Sequence, residues 1–194
     1  MPRKKTFIPE QALDKAMYIF WEKGFDNTSL PDLLTTMGIS RQSMYDTFGD
    51  KRKLFIQVMD RYEDNMKEAM AQLLTSHDTS LDAIKGHFRS TLATINLQPK
   101  RKACLMANTA MELAFKDEVI ISKVKNYMEM YMKAFLHALA VAQKNNEISK
   151  SVNIEALAKY LTTNLHGLGI MAKCGATEDD LNDIIGVTFA ILEK

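Results

Sequence analysis

Several residue types that would define other classes of protein are scarce in this sequence of 194 residues. Only two cysteines occur, too few for the disulfide framework of a small secreted protein. No apolar stretch follows the basic N-terminus, as a signal peptide would require, and no apolar run reaches membrane-spanning length. The 25 basic residues balance 24 acidic ones, so net charge alone indicates no polyanionic partner. We therefore expect a cytoplasmic protein with reduced thiols and no membrane partner.

The sequence patterns of common enzymes are missing as well. There is no glycine-rich phosphate-binding loop, no nucleophile elbow and no paired histidine–carboxylate motif. The four histidines, His77, His87, His137 and His166, do not have the spacing of metal ligands. We therefore expect a protein that is not an enzyme and that holds no metal or cofactor.

What the sequence does contain is a repeated helical pattern. Its four prolines and eight glycines lie mostly at the edges of segments in which apolar residues recur every three or four positions. No segment shows the alternation typical of a strand. The pattern predicts an all-α protein of about nine helices, with a small domain over residues 1–49 and a larger one over 50–194. A helix over about residues 50–74 is expected to belong to both.

Two short helices in the small domain are joined by the sequence Met37-Gly38-Ile39-Ser40. Helices of this length are marginal alone, so packing against the rest of the domain must hold them. The glycine allows a sharp change of direction, and Ile39 is expected to brace the two helices at a fixed angle. This arrangement predicts a helix-turn-helix, whose second helix lies in the major groove of DNA.

The second helix of this motif carries side chains suited to DNA. Arginine binds guanine and glutamine binds adenine through paired hydrogen bonds, and groups near helix starts suit phosphate. Lys51 lies near a helix start, where the helix dipole disfavours a cation, which favours an anionic partner. The alternatives are plain solvent-exposed helix surface and, for Tyr45, a place in the core. The expected DNA contacts are Thr28, Ser40, Arg41, Gln42, Ser43, Tyr45, Thr47 and Lys51.

Residues 9–62 resemble the DNA-binding region of the tetracycline-repressor (TetR) family. Farther along, the stretch RKACLMANTAMEL over residues 101–113 looks like a segment found in one branch of that family. The matching features in the first region are Phe20-Trp21-Glu22-Lys23-Gly24-Phe25, Thr28-Ser29, Met37-Gly38-Ile39-Ser40, Met44, Leu54, and the tyrosine-x-x-phenylalanine-x-x-lysine spacing of Tyr45, Phe48 and Lys51.

The resemblance implies a ligand-responsive transcriptional repressor. Such a protein binds a palindromic operator as a homodimer and is released by a small, mostly apolar inducer. In this family the last two helices usually pair with their copies in a four-helix bundle. Here those helices are expected over residues 154–174 and 178–192.

The larger domain is rich in methionine, which accounts for 13 residues of the chain. Methionine is flexible and fills irregular gaps, so an adaptable apolar pocket is one interpretation and an ordinary core is the other. Asn108, Tyr127 and His166 would supply the few polar groups that orient a ligand. The expected ligand contacts are Tyr62, Met66, Phe88, Leu92, Cys104, Asn108, Met111, Tyr127, Tyr131 and His166.

Cys104 follows Lys100, Arg101 and Lys102 and lies close to a helix start. Both features lower the pKa of a thiol and favour the reactive thiolate. Two interpretations therefore stay open. One is a thiol that senses electrophiles or oxidants and thereby controls repression, and the other is a buried, inert cysteine.

Overall fold

The computed structural model of the chain describes residues 7–75, 80–97 and 103–193, without the side chains of residues 72–75 and 80. His77 and the basic residues 100–102 lie outside these ranges. The described residues form nine α-helices and no strand, which confirms the all-α prediction, and none of these helices is long and apolar enough to cross a membrane. The helices are α1 Pro9–Lys23, α2 Leu30–Met37, α3 Arg41–Phe48, α4 Lys51–Thr75, α5 Ser80–Leu97, α6 Leu105–Leu113, α7 Glu118–Lys144, α8 Ile154–Lys173 and α9 Glu178–Leu192.

Packing divides the chain into two compact units. The first unit comprises Met1–Met66 and Asn108–Val124, and the second comprises Lys67–Ala107 and Lys125–Lys194. This division by packing differs from the expected one between residues 49 and 50, because the N-terminal part of α4 packs with the short helices before it. The end of α6 and the start of α7 also pack with the first unit. Whether function divides the chain at the same places stays a prediction.

The core of the first unit is built around aromatic rings. Ala12, Ala16 and Phe20 recur every four residues along α1, which places all three on its buried face. The ring of Phe20 lies edge-on to that of Phe55 in α4, with 4.9 Å between centroids, and the ring of Phe25 is 5.0 Å from that of Phe55. Such aromatic pairs add about 0.5–1.5 kcal/mol each beyond the area they bury. This core fixes α1 against α4 and gives the short helices a surface to pack on.

Side-chain caps define the ends of the two short helices. The Ser29 hydroxyl accepts a hydrogen bond from the Asp32 backbone N–H at 3.2 Å, and the Asp32 carboxylate accepts one from the Ser29 N–H at 2.9 Å. The Lys23 ammonium, 2.7 Å from the Asp32 carboxylate, and the bonds from Ser29 hold the pKa of Asp32 well below its ordinary value. Gly38 ends α2 in the left-handed conformation, with φ 70° and ψ 36°. Ser40 then caps α3 by accepting from the Ser43 N–H at 3.1 Å.

The segment from α6 into α7 is tied to the first unit by charged side chains. The Glu112 carboxylate accepts hydrogen bonds from the backbone N–H groups of Phe25 and Asp26, at 2.9 and 2.6 Å. The guanidinium of Arg52 donates two hydrogen bonds to the carboxylate of Asp117, at 2.6 and 2.9 Å. The loop between α1 and α2 is therefore held by a carboxylate that lies 86 residues away in the sequence.

In the second unit, α8 approaches another part of the backbone closely at Gly169. A Cβ atom added to this glycine would lie 3.2 Å from the Cα of Ala103 and 3.4 Å from the backbone nitrogen of Cys104. The helix therefore comes nearer to residues 103–104 than a larger residue would allow. A capping box between Thr177 and Asp180 starts α9.

Candidate functional site

The helix α3 is held by one face and exposes the other. Met44 and Phe48, four residues apart, are 0 % and 5 % exposed and anchor the helix in the first unit. Arg41, Gln42 and Tyr45 are exposed, and the Tyr45 side chain keeps 47 % of its accessible surface. The helix-turn-helix thus presents the predicted arginine, glutamine and tyrosine to solvent together.

The other expected contacts in and next to α3 are either half-buried or engaged in capping the helix. Ser43 and Thr47 are half-buried, and Ser40 is exposed but its hydroxyl is engaged in capping the helix. A hydroxyl in this capping position stabilises α3, the helix that carries the side chains expected to contact DNA bases. These three residues therefore flank the most exposed part of α3 rather than form it.

A carboxylate that sequence reasoning missed lies among the exposed side chains of α3. The side-chain amide of Gln42 donates a hydrogen bond to the carboxylate of Asp46 at 2.7 Å. Residues four apart on a helix are neighbours, so this spacing was the signal that could have revealed the contact. Gln42 must exchange this bond for one to a base if it contacts DNA, and Asp46 adds a negative charge to the exposed part of α3.

Thr28 corrects one prediction. Its side chain is fully buried, and its hydroxyl donates a hydrogen bond to the carbonyl of Gly24 at 2.5 Å. The hydroxyl is thus the hydrogen-bond partner of the Gly24 carbonyl at the end of α1, and it is not presented to a phosphate. Lys51 is the first residue of α4, and its ammonium lies 4.5 Å from the ring centroid of Phe25, over the ring face.

The ten expected ligand contacts are divided between the two units. Tyr62, Met66, Asn108 and Met111 belong to the first unit, and Phe88, Leu92, Cys104, Tyr127, Tyr131 and His166 belong to the second. Met111 is 66 % exposed near the end of α6 and is therefore not enclosed as a ligand contact would be. Tyr62 is buried with its ring edge-on to that of Trp21, at 5.3 Å between centroids. A single pocket formed by all ten residues stays a prediction.

Four of these residues, one of which is Cys104 with its thiol, lie close together in the second unit. Cys104 comes directly before α6 and is partly exposed, and its Sγ lies 3.6 Å from the hydroxyl oxygen of Tyr127. The ring of Tyr127 is 5.1 Å from that of Tyr131, and the ring of His166 is 4.9 Å from that of Tyr131. We call Cys104, Tyr127, Tyr131 and His166 the thiol cluster.

His166 is the group of the thiol cluster that can exchange a proton with the thiol. Its Nδ1 lies 2.8 Å from the carbonyl oxygen of Thr162, and its side chain is hydrogen-bonded to Cys104. Burial alone would lower the pKa of His166. The hydrogen bond to Cys104, the charge of the ionised thiol and the Thr162 carbonyl outweigh burial, so the pKa of His166 is raised above its ordinary value.

A second histidine next to the thiol cluster behaves in the opposite way. His87 packs against Tyr131, with 5.8 Å between ring centroids. Burial, and then the positive charge of His166, lower the pKa of His87 to about 4. His87 is therefore neutral near pH 7, and His166 is the histidine of this region that holds a proton more readily than usual.

Comparison with known proteins is consistent with this architecture over nearly the whole chain. Residues 12–58 match the model of the tetR family of bacterial regulatory proteins, and residues 80–185 match that of a tetracyclin repressor-like C-terminal domain. The first region contains the helix-turn-helix, and the second contains the thiol cluster.

Two relatives and one solved structure are similar to the chain over most of their length. YezE of Bacillus subtilis, an uncharacterized HTH-type transcriptional regulator, is 32 % identical over the whole of both chains. ComR of Escherichia coli, an HTH-type transcriptional repressor, is 30 % identical over 97 % of this chain and 90 % of its own. A cysteine mutant of the regulator CifR, complexed with 26-bp operator DNA, has a TM-score of 0.88 and 22 % identity over 97 % of this chain and 98 % of its own. The chain belongs to the tetR family of bacterial regulatory proteins.

Proposed function

We propose that the chain is a transcriptional repressor that binds a palindromic operator as a homodimer. The observation that carries the proposal is the exposed face of α3, where Arg41, Gln42 and Tyr45 stand out from a helix anchored by buried side chains. ComR, a relative along nearly the whole chain, is a repressor, and the structurally similar CifR is complexed with operator DNA. In a two-fold dimer, two such helices read half-sites about one helical turn, roughly 34 Å, apart.

Dimer formation through α8 and α9 is supported by apolar side chains that these helices leave exposed. In α8, Ile170 and Met171 are 37 % and 45 % exposed, and in α9, Val187 and Ile191 are 61 % and 41 % exposed. Val187 and Ile191 are four residues apart and share one face of α9. A second copy that covers these side chains would remove apolar surface from water and stabilise the pair.

Release by a small, mostly apolar inducer is the second part of the proposal. An inducer shifts the protein towards the conformation to which it binds better, here one in which the two recognition helices no longer fit successive major grooves. The buried aromatic and aliphatic residues Phe88, Leu92, Tyr127 and Tyr131 of the second unit offer surfaces to such a molecule.

DNA binding is tested with the promoter that precedes the chain's own gene, by fluorescence anisotropy at several salt concentrations. Arg41→Ala and Gln42→Ala are expected to weaken binding by about 10-fold or more, since a good paired contact to a base is worth about 1–3 kcal/mol. Lys133→Ala, which removes an exposed cation from α7 in the second unit, is the matched control and should bind normally. The absence of salt-dependent, sequence-selective binding would contradict the proposal.

The dimer is tested separately by light scattering. Val187→Asp places a charge in the apolar face of α9 and should yield monomers. Asn182→Asp adds the same charge at another exposed position of α9 and should leave the dimer intact. A wild-type protein that is monomeric at the concentrations at which it binds DNA would refute this part.

A repressor controlled by the thiol of Cys104 is a second candidate. Cys104 is partly exposed and lies next to Tyr127 and His166, which distinguishes it from a cysteine in a purely apolar core. Cys104→Ser should abolish the response of operator binding to a quinone or hypochlorite without weakening binding itself. Cys174→Ser, which alters an exposed cysteine at the end of α8, is the control and should respond as the wild type does.

A further inference from the structure

The tautomer of His166 is fixed by the backbone. A carbonyl oxygen only accepts hydrogen bonds, so the 2.8 Å contact between Nδ1 and the Thr162 carbonyl means that Nδ1 carries a hydrogen. This leaves Nε2 for the hydrogen bond with the thiol of Cys104. In the neutral imidazole Nε2 is an acceptor, and it is therefore the atom that can take the thiol proton.

Two features of α8 keep the imidazole at this place. Gly169, one turn after His166, allows the helix to lie against the backbone of Ala103 and Cys104. The bond to Thr162, one turn before His166, holds the ring along the helix. The thiol and the imidazole are 62 residues apart in the sequence. The close approach at Gly169 and the bond to Thr162 together hold them near each other.

We propose that Cys104 and His166 form an acid–base pair that adds the thiol to conjugated carbonyl compounds. The inference rests on the second candidate function, in which Cys104 is the group that senses electrophiles. It assigns the class of compound and gives His166 a role that the sequence did not reveal.

The addition is balanced without any further reactant. His166 Nε2 takes the proton of the Cys104 thiol, which leaves a thiolate beside an imidazolium. The sulfur forms a bond to the β-carbon of the conjugated compound, the carbon–carbon π bond breaks, and its electrons pass to an enolate. The imidazolium then returns the proton to the enolate, so hydrogen and sulfur add across the double bond and no external oxidant or reductant takes part.

Aromatic and polar groups lie beside the thiol. The rings of Tyr127 and Tyr131 stand within 5.1 Å of each other, and aromatic faces stack on conjugated systems. The Tyr127 hydroxyl oxygen accepts a hydrogen bond from the Cys104 thiol at 3.6 Å, so a polar group already lies beside the sulfur. The ring of His166 is nearly perpendicular to that of Tyr131, with 4.9 Å between centroids, so the imidazole packs against an aromatic ring.

The titratable groups around the pair favour the charged state of His166 alone. His87 from α5 is neutral near pH 7, because burial and the charge of His166 lower its pKa to about 4. Burial raises the pKa of Tyr131 from α7 to about 12, so its hydroxyl is also neutral. With His87 and Tyr131 neutral, His166 is the neighbouring group that can carry a positive charge beside a thiolate.

The test measures alkylation of Cys104 by N-ethylmaleimide, followed by intact-protein mass spectrometry from acidic to alkaline pH. Cys174→Ser is used as the background so that one thiol remains. A free thiol is about 1 % ionised near pH 6.5. His166→Gln should therefore slow the reaction at about this pH by roughly 10- to 100-fold and shift its pH profile towards that of a free thiol. His87→Gln replaces a neutral histidine of the same region and should leave the profile unchanged.

Two further measurements keep the test decisive. The ultraviolet absorbance of the thiolate in the protein with His166 intact should appear below the pH at which a free thiol ionises, and it should vanish in Cys104→Ser. With iodoacetamide, whose reaction forms no enolate, the loss caused by His166→Gln should be smaller than with the maleimide. An unshifted pH profile, or an equal loss with both reagents, would overturn the proposal.

Failure of the inference can be told apart from failure of the sensing function. If the alkylated protein still binds its operator although alkylation depends on His166, the pair stands and thiol sensing fails. If alkylation releases the operator at the same rate in His166→Gln, thiol sensing stands and the pair is refuted.

Discussion

Gly24 is a position at which one added methyl group should strongly disturb the first unit. Its backbone has φ 82° and ψ 175°, a conformation that is essentially restricted to glycine. A Cβ atom there would lie 2.8 Å from the Oε2 of Glu112, the carboxylate that accepts the hydrogen bonds of Phe25 and Asp26. Alanine therefore meets both a strained backbone and a side chain that cannot move without losing its bonds.

The magnitude follows from these two effects. Strain of this kind costs about 1–3 kcal/mol, and the reduced freedom of the unfolded chain returns about 0.4–1 kcal/mol. Displacing the carboxylate weakens two partly exposed hydrogen bonds to a charged acceptor, which adds about 1–2 kcal/mol. We expect Gly24→Ala to lower the free energy of unfolding of the first unit by about 2–4 kcal/mol.

The assay is urea unfolding followed by the fluorescence of Trp21, the one tryptophan of the chain, which lies in the first unit. In Gly24→Ala combined with Glu112→Ala, the steric part of the loss is gone, so the double variant should be about 1–2 kcal/mol more stable than the sum of the single effects predicts. Gly38→Ala, whose added Cβ would have only the Lys15 ammonium at 4.0 Å, should be additive with Glu112→Ala. Additivity for Gly24→Ala as well would refute the reasoning.

Three other predictions follow from single contacts. Asp46→Ala frees Gln42 and removes a negative charge from α3, so binding to random-sequence DNA at low salt should tighten several-fold by anisotropy; unchanged binding would show that the carboxylate does not face the duplex. Gly169→Ala pushes the backbone of Cys104 away from α8 and should slow the reaction of Cys104 with N-ethylmaleimide at about pH 6.5 several-fold. Gly167→Ala, where an added Cβ meets nothing within 4 Å, is the control. The pKa of Asp117 is lowered to about 2, chiefly by its hydrogen bonds with a guanidinium, so its contribution to stability is present above the ordinary carboxyl pKa near 4 and is lost as pH falls towards 2. Unfolding curves should therefore converge with those of Asp117→Asn in acid, and a difference that is constant with pH would contradict this assignment.

Much of the helix-turn-helix could be predicted because its signals are local. Apolar residues four apart, such as Met44 and Phe48, define the buried face of α3 and thereby the exposed one. The capping residues Ser29 and Ser40 and the left-handed Gly38 mark the helix ends within a few residues of the chain. Periodicity thus predicts which surface of α3 is exposed, and the family resemblance supports a DNA-binding role for that surface.

The failures concern side chains whose partners are set by tertiary packing. Thr28 has the same chemistry as a helix cap or a phosphate contact, and only its burial against the end of α1 decides that it bonds to the Gly24 carbonyl. Glu112 and His166 find their partners 86 and 62 residues away, which no local pattern encodes. The basic residues at 100–102, on which the sequence argument for a reactive thiol relied, lie outside the described part of the chain. The histidine that the structure offers in their place was expected only as a ligand contact.

The bond between Gln42 and Asp46 also has a kinetic consequence. A glutamine already satisfied within its own helix gains nothing from a base that offers one poor hydrogen bond, so only a well-matched edge displaces the carboxylate. In the proposed complex with unrelated sequence, the side chain would stay paired with its neighbour, and the negative charge beside it would weaken the attraction to the phosphates. The proposed dimer would therefore leave wrong sites quickly and stay longest at the few sites whose contacts outweigh the broken bond.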